Sequence, residues 1–493
     1  MTGALRLCLP AVLLASLVGG STLAVSTASS GTPTRSTTAV SITGSGAATR
    51  STAPASTGGS TPAGGPPAAA RSPVTARAGA PPSFPTSAGG AIPTADPVPS
   101  SAAGPTSAQL TRVRATLGGE MRRAGSASGA YVVDLTTGQV LYSIHPTTPR
   151  IPASVEKLYT TSTVLARFGP TTRLSTSVLG VGSADDKGVW KGNLYVHGGG
   201  DPTFGTDSPP GSQATPTTLA STLLAATGIT RVDGSVIGDE TLFDSLRGVP
   251  SSGYLADPVD LAGELSALAD DRGRLGGLSS PAVFAASQVA KALRASGVAV
   301  TGRTTAGPTP KGARLLAAVQ SPDLATIVAL TDQPSDNLYA ETLLKDLGAY
   351  FGSAGSSAAG AAVVRAWLAP LGIRPHLVDG SGLSDTDRTS PEQVVTLLRD
   401  LNPTAADPLA PVGAALMAAL PVAGRSGTLV DRMRKTAAAG RCEAKTGTLS
   451  GVSNLAGVCD GRYAFAFLMN QISDAKAHAL QDAMTEAIAA LPG

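Results

Sequence analysis

The sequence predicts an α/β (α+β) fold, strands and helices interrupted by an inserted strand-rich segment, and three observations predict it. Strand-like runs stand near both ends of the ordered region, at 130–135 with 139–143 and at 451–459 with 463–469. Helix-like segments lie between them, with apolar residues recurring at helical spacing. From 175 to 310 the pattern changes to short strands and Gly-rich turns.

A chain of 493 residues can bury a substantial core in one to three domains. Its 42% hydrophobic but only 4% aromatic content, with 58 Gly and 37 Pro, points to a small-residue-rich globular part joined to something coreless. A formal charge of +3, with no Lys/Arg cluster interleaved with aromatics, argues against a nucleic-acid partner.

Arg6 followed by an apolar run from Leu7 to Val18 reads as an export signal over 1–28. Small residues at Thr22 and Ala24, or at Ser26 and Ala28, suit cleavage; an uncleaved segment would serve as a short membrane anchor, the one membrane tether the chain offers. Residues 29–108 are Ser, Thr, Pro, Gly and Ala with five charges, Arg35, Arg50, Arg71, Arg77 and Asp96, and read as a disordered linker. Such a tether spans roughly 50 Å root-mean-square.

Order is expected from about Leu110, giving a domain over 109–174 and 311–493 split by an insertion at 175–310. A helix-like stretch leads to a hairpin at 130–143, turned by Thr136, Thr137 and Gly138. The next helix follows Pro152 and Ala153, repeats Leu158, Thr161 and Leu165, and closes at Gly169 and Pro170. In the insertion, strands are expected at 194–196 and 232–237 and helices at 217–226 and 281–295. Beyond it, Ser321, Pro322 and Asp323 cap a helix, 338–350 forms another, and the chain closes as strand, strand and a helix with Ala477, Leu480, Met484 and Ile488 on one face.

After the signal only Cys442 and Cys459 remain, and an exported chain meets an oxidising compartment. They flank a turn near Ser450 and Gly451 on strands expected to pair, which predicts a disulfide; two buried free thiols are the alternative. His145, His197, His376 and His478 are scattered, so no zinc site is expected, and no cofactor. Asp379, Asp385 and Asp387 crowd one segment without the ligand rhythm of a calcium loop. His197 with Gly198, Gly199 and Gly200 is read as a turn, because no Gly-x-Ser-x-Gly elbow accompanies it.

Three motifs carry the chemistry: Ser154-Val-Glu-Lys157, Ser335-Asp-Asn337 and Lys445-Thr-Gly447. Each alone is weak, since a helix cap explains Ser154 and a solvated turn explains Ser335 to Asn337, but the ordered set is specific. A serine at a helix start has unpaired N–H groups and the helix dipole to stabilise developing negative charge. Lys157, one turn on, becomes its base if desolvation and a second cation, Lys445, lower its pKa. Ser335 can pass a proton to a leaving amine, Asn337 can fix Lys157 and hold a carbonyl, and Asp336 ties its loop.

With these motifs the chain resembles the D-Ala-D-Ala carboxypeptidase/endopeptidase family of class C low-molecular-mass penicillin-binding proteins, which carry a large insertion in the transpeptidase domain. The resemblance runs from about residue 110 to the end and includes His197-Gly-Gly-Gly-Asp-Pro202, Gly238-Asp-Glu-Thr-Leu-Phe243, Glu264-Leu-Ser-Ala-Leu268, Asp379-Gly-Ser-Gly-Leu-Ser384 and Leu420-Pro-Val-Ala-Gly424. It implies a β-lactamase/transpeptidase-like fold, with a five-stranded antiparallel sheet and a helical subdomain. It also implies a Ser154 acyl-enzyme formed from peptidoglycan stem peptides or β-lactams, in the extracytoplasmic space of a bacterium. Ser154 and Thr448 N–H groups would form the oxyanion hole. Lys445, Thr446, Gly447 and Thr448 would read the substrate and its carboxylate. Glu156 departs from the uncharged residue often found there and is expected to suit the helix dipole. A β-lactamase shares the motifs, but no Glu-x-x-Leu-Asn-type loop is present; a non-catalytic wall-binding module is opposed by intact Ser154, Lys157 and Lys445.

Overall fold

A computed structural model describes residues 104–206, 208–209, 212–402 and 408–493. The expected signal at 1–28 and the linker up to 103 lie outside them. Order starts earlier than expected, because Thr106 and Gln109 form a capping box: Thr106 Oγ1 accepts from Gln109 N at 3.3 Å and Gln109 Oε1 accepts from Thr106 N at 2.8 Å.

Helix α1 (Ser107–Ala124) precedes the hairpin β1 (Ser128–Asp134) and β2 (Val140–Ile144), and a 3-10 turn (Ala153–Glu156) opens α2 (Lys157–Phe168). Then come β3 (Arg173–Ala184), β4 (Val189–His197), α3 (Pro216–Thr227), β5 (Arg231–Asp233), β6 (Val236–Asp239), α4 (Pro281–Ala295), β7 (Ala299–Val300), β8 (Thr304–Ala306) and β9 (Arg314–Asp323). The chain continues through α5 (Leu324–Asp332), α6 (Asn337–Phe351), α7 (Ser357–Leu368), α8 (Pro391–Asp400) and α9 (Ala410–Ala419). It ends with β10 (Cys442–Leu449), β11 (Val452–Cys459), β12 (Tyr463–Asn470) and α10 (Asp474–Ala489). Among the described residues no helix is long and apolar enough to cross a membrane.

A five-stranded antiparallel sheet, ordered β10-β11-β12-β1-β2, joins the two ends of the ordered region. Alternation along β12 explains how it is buried on both faces. Tyr463, Phe465, Phe467 and Met469 enter one core with Leu117 and Met121 of α1 and Leu480, Met484 and Ile488 of α10. Ala464, Ala466 and Leu468 enter a second core with Leu158 of α2, Ile327 of α5 and Val394 and Leu398 of α8. Each large apolar side chain buried this way contributes about 1.5–3 kcal/mol.

A second, seven-stranded sheet has the order β7-β5-β4-β3-β9, with β6 pairing β4 and β8. The strand expected at 232–237 is broken at Gly234 and Ser235 into β5 and β6, which pair in parallel with successive stretches of β4. The break sits beside Gly192, where β4 itself bends with φ +143°. This sheet reaches beyond the 175–310 expected for the insertion, since β3 and β9 pair antiparallel and bring Arg173 opposite Asp323. The chain therefore leaves and returns through adjacent strands, and Leu324 N donates to Thr172 O at 2.9 Å where they meet the helices.

Cys442 and Cys459 are bonded to each other, face to face in the β10–β11 register, with Cα atoms 4.0 Å apart. The bond closes a loop with a sequence separation of 17, worth about 3 kcal/mol in the chain-entropy description. Cys442→Ala combined with Cys459→Ala should lower the free energy of unfolding by about that amount, with a steeper denaturant slope because the unfolded chain is no longer cross-linked. Alkylation of the unreduced native protein should find neither thiol free.

Candidate active site

The Ser154 turn is fixed from behind. Ala153, just before it, adopts the left-handed conformation (φ +47°), which non-glycine residues keep only where surroundings enforce it. The enforcement comes from Asn454 of β11, whose Nδ2 donates to Ile151 O at 3.0 Å and Pro152 O at 2.7 Å while its Oδ1 accepts from Met469 N at 2.7 Å. Ser154 lies in the 3-10 turn rather than in the first turn of α2, and α2 begins at Lys157.

Lys157 is wholly buried. Its Nζ donates to Ser154 Oγ at 2.9 Å, Asn337 Oδ1 at 2.6 Å and Ser381 O at 2.8 Å. Burial pushes its pKa down to about 8, against the opposing pull of Asp332, Asp379, Glu341 and Asp336. Desolvation is one of the two expected causes; the other, repulsion between the two lysines, falls instead on Lys445, whose pKa is lowered first by burial and then by Lys157, with Asp332 opposing.

Ser335 lies in the link from α5 to α6, and Asn337 is the first residue of α6. Ser335 has φ +64°, which turns its side chain toward β10, where Lys445 Nζ donates to Ser335 Oγ at 2.8 Å and to Thr446 O at 3.1 Å. Asp336 caps α6, accepting from Tyr339 N at 3.0 Å. It also pairs with Arg272 of the segment between β6 and α4, at 2.6 Å, so its partners are not only local. Asn337 Nδ2 donates to Asp260 O at 2.9 Å.

β10 lies at the edge of its sheet and runs past the Ser154 turn. A Cβ on Gly447 would stand 2.6 Å from Pro152 O, 2.9 Å from Val155 N and 3.1 Å from Ser154 N, so only glycine lets the strand approach. Thr446 Oγ1 lies 2.8 Å from Thr428 Oγ1, and Thr448 is exposed. The structure thus brings Ser154, Lys157, Ser335, Asn337, Lys445, Thr446, Gly447 and Thr448 around one centre, with the Cys442–Cys459 bond at the far end of β10.

Behind Lys157 lies a group of carboxyls that sequence reasoning did not place. Glu156 faces no solvent; it is fully buried, and one oxygen each of Glu156, Asp379 and Asp387 lie within 4.8 Å of one another. Burial first, then mutual repulsion, raises the pKa of Glu156 and Asp387. Asp379 accepts from Gly382 N and Ser384 N at 2.7 Å each, and Glu341 Oε1 accepts from Gly380 N at 2.9 Å and Ser381 N at 2.8 Å. These bonds shape the loop that aims Ser381 O at Lys157, while Asp385 is exposed. His197 Nδ1 pairs with Asp239 Oδ2 at 3.0 Å within the second sheet. Sequence reasoning also missed Asn454, although an asparagine inside the buried run of β11 was a readable signal.

The model of the D-Ala-D-Ala carboxypeptidase 3 (S13) family matches residues 114–258 and 256–491. The chain belongs to this family. It is 30% identical over 457 residues to a D-alanyl-D-alanine carboxypeptidase of an Actinomadura species, covering 75% of this chain and 82% of the relative. It is 32% identical over 358 residues to carboxypeptidase DacB of Mycolicibacterium smegmatis, covering 67% of this chain and 73% of the relative. Penicillin-binding protein 4 of Haemophilus influenzae shares the fold, with a TM-score of 0.62 at 21% identity over 75% of this chain and 97% of that one. The chain is accordingly a serine-type D-Ala-D-Ala carboxypeptidase of the class C penicillin-binding group.

Gly447→Ala should leave a cooperative unfolding transition but cut release of D-Ala at least about tenfold, because β10 must retreat from the Ser154 turn. Steady-state kinetics beside a thermal melt would check this; unchanged kinetics would mean that the strand need not approach so closely.

Proposed function

We propose that Ser154 is the acylated nucleophile and Lys157 its general base. The observation that carries this is the 2.9 Å contact between Lys157 Nζ and Ser154 Oγ, made by a lysine whose burial brings its pKa to about 8. Ser154 Oγ attacks the carbonyl of the penultimate D-Ala while Lys157 accepts its proton. The N–H groups of Ser154 and Thr448 hold the oxyanion. As the tetrahedral species collapses, Ser335, backed by Lys445, passes a proton to the amine of the terminal D-Ala, which departs. Water then hydrolyses the ester. Asn337 presents its carbonyl oxygen to Lys157, which keeps the ammonium or amine beside the serine.

The same steps cut a cross-link when the leaving amine belongs to a second stem peptide. A cavity of about 480 Å³ in the inserted segment, lined by Ala256, Pro258, Glu264, Arg272 and Arg274 among others, offers room for the bulk of such a substrate, and Arg272 joins it to Asp336, the residue before Asn337. β-Lactams acylate Ser154 in place of the peptide. Export through residues 1–28, with the 29–108 linker as tether, would put the enzyme in the extracytoplasmic space where peptidoglycan lies.

Fluorescent penicillin followed by mass mapping tests the assignment. The label should sit on Ser154, vanish in Ser154→Ala and fall sharply in Lys157→Ala; label on another residue would remove Ser154 from its role. Slow release of the label separates a carboxypeptidase from a β-lactamase. Because burial lowers the lysine and its neutral form is the base, acylation should quicken as pH rises through about 8 and then level off. The gain between about pH 7 and 9 should be roughly tenfold.

Lys445 is wholly buried against Ser335, so the carboxylate of the terminal D-Ala meets the hydroxyls of Thr446 and Thr448, with the Lys445 charge behind them. Thr448→Val should therefore slow a peptide ending in D-Ala-D-Ala about 10- to 100-fold more than its C-terminal amide. Lys445→Gln should slow both substrates, because it also disturbs Ser335. Equal losses in Thr448→Val would remove carboxylate recognition from that hydroxyl.

A further inference from the structure

The amide of Asn337 has two different ends, and its role depends on which end faces Lys157. Its Oδ1 does, because Nδ2 is occupied by the carbonyl of Asp260, a residue 77 positions earlier in the chain. Whatever holds the Asp260 loop against α6 therefore holds the amide.

One guanidinium spans that junction. Arg272 Nη1 donates to Asp336 Oδ2 at 2.6 Å and Nη2 to Asp336 Oδ1 at 3.1 Å, a two-pronged grip on the cap of α6 next to Asn337. The same group reaches back to the loop, with Nη2 donating to Leu261 O at 2.8 Å and Nε to Ala262 O at 3.2 Å. Its plane also lies 5.5 Å from the Tyr339 ring centroid. Beneath it, Leu261 packs in a small core with Leu338, the residue after Asn337. Ala262, Asp271 and Arg272 all hold positive φ, +52°, +46° and +65°. Left-handed backbone at three non-glycine residues marks a loop forced into place by its surroundings.

We propose that Arg272 is a positioning residue: by clamping the Asp260–Ala262 loop to the cap of α6, it sets which face of the Asn337 amide meets Lys157. The inference rests on the reading of Lys157 as base. It assigns to the inserted segment a part in catalysis that its lack of a catalytic set of its own does not suggest. It also has an electrostatic consequence. Asp336 is one of the carboxylates that favour the charged form of Lys157, and the Arg272 charge offsets it; without that charge, Lys157 holds its proton to higher pH.

The test compares Arg272→Met, Arg272→Lys and the unsubstituted enzyme by acylation rate against pH and by kcat and KM for a small D-Ala-D-Ala peptide. For Arg272→Met, kcat should fall about 10- to 100-fold with KM changed far less, and the pH midpoint of acylation should move upward. Arg272→Lys should bring the midpoint back while kcat stays low, since an ammonium supplies the charge without the fork. An unchanged kcat, or a fall with an unmoved midpoint and a matching loss of folded protein, would overturn the inference. Should Arg272→Met fail to fold, Asp336→Asn, which keeps a capping oxygen but removes the carboxylate's grip, takes its place: kcat should fall with KM nearly unchanged and the midpoint move down, and an unaltered kcat overturns the inference. A flat pH profile in the unsubstituted enzyme would remove Lys157 as base, and the inference with it. A normal profile there with wild-type behaviour in the Arg272 variants removes the inference alone.

Discussion

An ammonium group taken wholly out of water needs an oxygen for each of its three protons, and Lys157 meets that need with acceptors from three distant parts of the chain. Ser154 comes from the turn before α2, Asn337 from the start of α6, and the Ser381 carbonyl from the loop after α7. Satisfying one cation thus draws together the elements that the proposed chemistry requires. The loop of Ser381 is itself held by Asp379 and Glu341, whose oxygens accept from its N–H groups. Carboxyls so close to the lysine favour its charged form, yet burial raises the pKa of Glu341, Asp379 and Asp387, and repulsion from Asp379 adds to it at Glu341 and Asp387. A carboxyl that keeps its proton no longer stabilises the ammonium, and desolvation then decides the balance in favour of a lysine that can give up its proton.

The other half of the centre depends on an edge. An unpaired strand edge usually has to be protected from association, and here the free side of β10 is paired at its start by residues 421–423, with Ala444 N donating to Pro421 O and Ala423 N to Cys442 O at 2.9 Å each, while the Ser154 turn lies against its face. Gly447 permits the approach in the middle of the strand, and the bond from Cys442 to Cys459 ties one end of it to β11. Lys445 then points inward to Ser335, while Thr446 and Thr448 remain within reach of solvent.

What was legible in the sequence follows from range. The strands at 130–143 and 451–469 show because β-branched and aromatic residues gather there around turn residues, and α10 shows because Ala477, Leu480, Met484 and Ile488 recur on one face. The three motifs show because each is a few residues long and their order is distinctive. The surroundings of Glu156 were not legible because its neighbours in sequence suggested only a helix start whose dipole it suits, whereas its neighbours in space, Asp379 and Asp387, lie more than 200 positions away. The same applies to Asn454, whose bond to Ile151 spans 303 positions, and to Lys445, whose influence on Lys157 sequence could propose but not weigh against burial. The break between β5 and β6 escaped notice because it follows a bend in β4, a strand whose full length was itself underestimated.

The insertion raises a mechanical point. A segment joined to its host by two flexible linkers could not hold an asparagine amide to within a few tenths of an ångström. β3 and β9, however, leave and return side by side, with Arg173 opposite Asp323, and Thr172 and Pro170 accept from the first N–H groups of α5 at 2.9 Å each. The base of the insertion is therefore continuous with α2, which carries Lys157, and with α5, which leads to Ser335. At its other end Asp271 N donates to Phe204 O at 3.0 Å, joining the Arg272 loop to the turn after β4. A path of hydrogen-bonded backbone thus starts beside α2, crosses the second sheet and comes back to α6 at Arg272. Both ends of the proposed clamp belong to one stiff frame, and that lets a residue so far along the chain govern an angle at the active site.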